Sequence, residues 1–115
     1  MPLNKELLER IVKEDVDGLM DKNDSPHGYK DSWKRRGGIG AFMMLARKWD
    51  RLENSAKHFG WDIFKALIAD RRPEGLIDDI RDLRRYLELV EHEFLENITT
   101  PGTIVPEAPT DIRNP

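Results

Sequence analysis

The chain has no cysteine among its 115 residues, so disulfides and thiolate metal sites are excluded. Its three histidines, His27, His58 and His92, lie far apart and show no zinc-ligand spacing. Any metal held here must rest mostly on carboxylate oxygens, which favours magnesium, manganese or calcium. No apolar run approaches the ~18 residues of a membrane span, and the start, MPLNKELLERIVKED, lacks the pattern of a signal peptide. A basic excess is missing too. The net charge is −3 with 36% of residues charged, which argues against direct nucleic-acid binding. Strand alternation, internal repeats and low-complexity tracts are also lacking. These absences predict a single cytoplasmic domain with no membrane association.

What is present is helical periodicity. LNKELLERIVKEDVDGLMDKN carries Leu3, Leu7, Leu8, Ile11, Val12, Val16, Leu19 and Met20 at helical spacing, with Asn4 as N-cap and Gly18 weakening the last turn. DSPHGYKDSWKRRGG is a loop with two aromatics and four basic residues. A second helix is predicted from about Gly38 to Phe59, ending near Gly60. WDIFKALIAD is a short third helix, and RRPEG breaks it. The last long helix, EGLIDDIRDLRRYLELVEHEFLENI, spaces Leu76, Ile80, Leu83, Leu87, Val90 and Phe94 four and three apart, a packing seam. The expected fold is an all-α bundle of three longer helices and one short one over residues 1–98. Residues 99–115, with four prolines, form an extended or disordered tail in this reading.

RKWDRLE, Arg47 to Glu53, is the anomaly. At about 100° per residue from Ala46, Ile39, Phe42, Met43 and Trp49 fall within roughly 60° of that residue. Glu53 lands near the middle of this apolar arc and Asp50 on its flank, at about −20° and +40°. An ionised carboxylate buried there is costly without a positive partner. On the last helix Asp79 and Asp82 lie about 60° and 120° from the centre of the seam, with Tyr86 between them. Both acid pairs have three-residue spacing. Antiparallel packing of the two helices would bring four carboxylates to one pocket, and hard divalent cations would then balance them. The competing readings are ordinary. DDIRDLRR is also what a solvated, salt-bridged face looks like, and Glu53 is also placed to pair with Lys57.

Asp50-x-x-Glu53 in DRLE and Asp79-x-x-Asp82 in DIRD, separated by residues 54–78, resemble the signature of the MazG-like all-α nucleoside triphosphate pyrophosphohydrolases. That signature is ExxE on one helix and ExxD on a later one. The segments GYKDSWKRRGG, RKWDRLE and EGLIDDIRDLRRYL are also similar to a small phage and bacterial branch associated with nucleotide modification. The likeness spans about Tyr29 to Val90. The first acid of each pair is Asp where the family usually has Glu, one methylene shorter. The resemblance implies magnesium-dependent (or manganese-dependent) hydrolysis of a nucleoside triphosphate to monophosphate and pyrophosphate. It also implies a homodimer or homotetramer. Asp50, Glu53, Asp79 and Asp82 would be metal ligands, and Glu53 would orient or deprotonate the attacking water. Leu45 and Leu52, outside the main apolar arc, agree with a second packing surface on the same helix.

The loop supplies Lys30, Lys34, Arg35 and Arg36 for phosphate and Tyr29 or Trp33 for a base, the alternative being a solvated loop with Trp33 as a plug in the core. Lys57 and Tyr86 complete the expected substrate contacts. Arg81, Arg84 and Arg85 read as surface pairs, and Trp61 and Phe64 as core or dimer contacts. Two other functions remain open on the same residues: a nucleotide sensor without turnover, and a small helical oligomerisation or inhibitor module.

Overall fold

The structure, a computed structural model, describes residues 2–24 and 32–98. Among the described residues there are four α-helices and no strand: α1 (Lys5–Asp24), α2 (Gly37–Lys57), α3 (Ile63–Ala69) and α4 (Leu76–Glu93). A 3-10 turn, Ser32–Lys34, precedes α2, and a π turn, Phe94–Ile98, follows α4. The all-α class and the three-long, one-short pattern match the periodicity. Tyr29, Lys30 and the tail from residue 99 lie outside the described residues.

Local chemistry sets the helix ends. Asn4 caps α1 by accepting from the Leu7 amide at 3.0 Å. Asp62 caps α3, accepting from the Phe64 and Lys65 amides at 3.0 and 3.1 Å. At the end of α2 the Phe59 and Trp61 amides both donate to the Ala56 carbonyl, at 2.9 and 2.8 Å. The chain turns there through Gly60 at φ 63° and Trp61 at φ 67°, the latter a left-handed conformation unusual for a large side chain.

α2 and α4 form the main helix pair, and α3 touches both. Ion pairs fix their direction: Lys34 meets Glu93, Lys48 meets Asp82, and Arg51 meets Asp79. Partners descend along α4 as they ascend from the 3-10 turn through α2, so the pair is antiparallel. α1 approaches the other helices only through α4 among the described residues. The deepest apolar side chains are Trp33, Ala66 and Leu76, the last only 1% exposed.

One expectation is overturned. The arc of Ile39, Phe42, Met43 and Trp49 is not buried; Ile39 is 83% exposed and Phe42 64%. The side of α2 turned inward carries Ala41, Leu45, Lys48 and Leu52, all part-buried. This side stands roughly 140° round the helix from the arc. Leu45 and Leu52 therefore belong to the face used within the chain, and the larger apolar face is left uncovered. Trp61 and Phe64 are likewise exposed, so they are not core. The α4 seam is sealed at Leu76 and opens toward Leu87 and Phe94, which are exposed.

The Asp62 cap yields a direct test. Asp62→Ala should cost about 1 kcal/mol, the usual loss for an N-cap carboxylate, with an unchanged urea m-value. No shift in the urea midpoint would show that α3 does not depend on this cap.

Candidate functional site

The loop before α4 aims the second acid pair. Asp70 accepts from the Arg72 amide at 3.1 Å and from its guanidinium at 3.0 Å, and it also takes the Leu76 amide. The Arg72 guanidinium, aided by the Leu76 and Arg72 amides, holds the Asp70 carboxyl well below the usual carboxylate range. A side chain at residue 75 would bring its Cβ within 2.5 Å of Asp70 Oδ2, so the close approach requires Gly75. The Gly75 amide donates to Asp78 at 3.1 Å. With the first amides of α4 satisfied in this way, the helix starts in a fixed orientation and Asp79 turns inward.

Asp79 is 3% exposed. Its Oδ1 lies 3.0 Å from Arg51 Nε, while its Oδ2 is buried and has no hydrogen-bond partner. Asp82 accepts from Lys48 Nζ at 3.0 Å. The α2 pair is elsewhere. Asp50 and Glu53 are exposed, and Glu53 accepts from the Trp49 indole at 3.0 Å. Glu53 makes no ion pair with Lys57, so neither the buried acid nor its simplest structural alternative is what the chain forms.

Convergence of the four carboxylates is therefore not achieved within one chain. Among the described residues no three His, Asp or Glu side chains are grouped to hold a metal ion. The cause is helical geometry: Lys48 and Arg51 face α4, and Asp50 and Glu53 stand on roughly the opposite side of α2. Cations of the protein itself take the place expected for a metal beside Asp79 and Asp82. A divalent ion does not fit the four acids as one chain arranges them.

The other expected contacts divide similarly. Trp33 is buried in the 3-10 turn and walls three cavities, of about 540, 530 and 470 Å³. Its burial agrees with the plugging alternative. Lys34 donates to Glu93 at 2.5 Å, and this contact holds the Glu93 carboxyl below its ordinary range. Lys57 is exposed near the end of α2, and Tyr86 is half-buried on α4.

A second charged cluster escaped sequence reading. Asp15 of α1 is 1% exposed and accepts from Arg84 Nε and Nη2 at 2.5 and 2.7 Å, and from Arg85 Nε at 3.0 Å. Arg84 and Arg85 are thus not surface pairs, whereas Arg81 is one, with Asp78. Arg84, hydrogen-bonded to Asp15, pulls that carboxyl down to about 2. Beside it, burial pushes the Glu88 carboxyl up to about 7, helped by its contact with Asp15. The available signal was Asp15 itself, which falls between Leu8, Ile11 and Leu19 on the helical wheel of α1.

Arg51→Met should destabilise the fold by up to ~3 kcal/mol, because a buried carboxylate loses its counter-charge while half-exposed Arg51 limits the effect. Lys48→Met should cost less, about 1 kcal/mol, because its partner Asp82 is 32% exposed and can be re-solvated, whereas Asp79 cannot. Equal small losses in urea titrations would show that Asp79 is not the buried anchor. Comparison of the chain with family models, with curated proteins and with solved structures finds no match.

Proposed function

We propose that this chain is a magnesium-dependent nucleoside triphosphate pyrophosphohydrolase, releasing a monophosphate and pyrophosphate, that works as a homodimer or homotetramer. The observation carrying this reading is Asp79: a carboxylate oxygen buried without a partner, on the helix whose Asp-x-x-Asp spacing resembles the MazG-like signature. The uncovered arc of α2 supports the assembly. Ile39, Phe42, Met43 and Trp49 form an apolar strip on the same side as Glu53 and Asp50, the kind of surface that marks association. On this reading the α2 acids act only once that strip is covered, and Glu53 serves the attacking water. Lys30, Trp33, Lys34, Lys57 and Tyr86 remain the proposed substrate contacts.

A second reading, a helical nucleotide sensor or oligomerisation module without turnover, is favoured by Lys48 and Arg51, which already neutralise the α4 acids. Pyrophosphate release separates the two. A screen of common nucleoside triphosphates with magnesium or manganese should show metal-dependent release. Magnesium should also raise the melting temperature, since a ligand bound only by the native state stabilises it. Nucleotide binding without release would select the sensor.

Glu53→Gln should lower turnover by ~10² or more, in the range for loss of a general base. Because Glu53 is exposed, metal-free stability should shift by no more than about 0.5 kcal/mol. Unchanged turnover would remove Glu53 from the catalytic role. Sedimentation at micromolar concentration should show at least a dimer; a 13.4 kDa species alone would refute the assembly.

A further inference from the structure

We infer that α1 is seated on α4 by a proton-dependent clip in which the Glu88 carboxyl donates to the Asp15 carboxylate. Ionisation of Glu88 then loosens α1 and opens the cavity behind it. Glu88 Oε1 is buried and no donor reaches it, and the Glu88 carboxyl lies against that of Asp15. Two carboxyl groups in contact need one proton between them, since neither carboxylate is a donor when both are ionised. Asp15 is the one that stays ionised. It accepts the three guanidinium bonds of Arg84 and Arg85, and the proton therefore resides on Glu88.

The clip matters because α1 has little else to hold it. Its helix contacts among the described residues are with α4 alone, and Leu7, Leu8, Val12, Val16 and Met20 are exposed. Gly18 belongs to the same device: a Cβ there would stand 3.0 Å from the Arg85 guanidinium, which passes over it toward Asp15. Arg85 also donates to the Glu14 carbonyl at 3.3 Å. The cavity of about 470 Å³ lies directly beyond, between Val16, Leu19 and Met20 of α1 and Trp33, Glu88 and Leu89.

The charged groups around Glu88 are Glu14 and Asp15 from α1, Arg84, Arg85 and His92 from α4, and the Lys34–Glu93 pair. When Glu88 loses its proton to solvent, two carboxylates share guanidinium groups already committed to Asp15. The direction of the effect follows from linkage. A carboxyl raised from 4.5 toward 7 makes the folded state hold more protons than the unfolded one between those values. Its contribution is complete below pH 4.5 and is lost as pH rises through about 7.

Hydrogen exchange on the full chain, wild type against Glu88→Gln, tests this. Gln keeps the shape and a donor for Asp15 but cannot ionise, and comparison at each pH cancels intrinsic exchange and the titration of His92. Between pH 6 and 8 the wild-type to variant ratio of α1 exchange should rise about ten-fold or more, with α2 and α4 unchanged. A flat ratio, or one rising equally in all helices, overturns the proposal. Carbon-13 titration of the glutamate carboxyls in the wild type needs no variant. One midpoint near 7 assigned to Glu88 is expected, and an ordinary glutamate midpoint at that site overturns the proposal.

Discussion

Asp15 is the contact on which the placement of α1 depends. A carboxylate taken out of water is tolerated only with full compensation, and here two arginines of α4 supply it from one side of a single helix turn. Removal of one member of such a set costs ~3–5 kcal/mol, because the other charge is left stranded. Few apolar contacts back the arrangement, so the orientation of α1 is chosen by charge geometry. The bidentate grip of Arg84 adds direction, since a planar guanidinium fits a carboxylate in few ways. α1 consequently meets α4 at Asp15, which lies against Arg84 and Arg85.

The α2–α4 pair follows the same principle with opposite polarity. Lys34, Lys48 and Arg51 meet Glu93, Asp82 and Asp79 in order along the antiparallel pair. A slip of α2 by one turn would break each of these contacts and leave Asp79 buried without a cation. The ladder thus specifies register in a helix pair whose apolar seam is shallow, a role for which buried ionic groups are best attested. It also explains why Asp79 keeps one oxygen unpartnered: Arg51 engages only Oδ1, and no other donor reaches the second.

Much of this was legible in the residues. Asn4 announced a helix start, Gly60 an end, and RRPEG the break before α4, because caps and breakers act over a few neighbouring residues. Which face of α2 turns inward was not legible. The helix has apolar side chains on two sides, and periodicity measures amphipathicity without saying which stripe meets its own chain. Glu53 was placed in a buried arc by reasoning that suits Asp15 better. Both acids sit among apolar neighbours on a helical wheel, but only Asp15 has arginines opposite it. Gly18 read as a weak point in a helix, whereas its missing side chain is the passage for Arg85.

Charge used inside the chain leaves apolar surface outside it. The described residues bury Asp15 and Asp79 more completely than Ile39, Phe42 or Met43, an inversion of the usual order for a domain of this size. An apolar strip of that extent in water is unfavourable at roughly 25 cal/mol per Å², so any surface able to cover it gains that energy. Ion pairs suit the internal contacts because they orient helices without consuming the apolar stripes. The stripes then remain available for association, and Glu53 and Asp50 ride on that face. In the proposed enzyme, chemistry and assembly would thus share one face of α2, while the opposite face holds the helix in register.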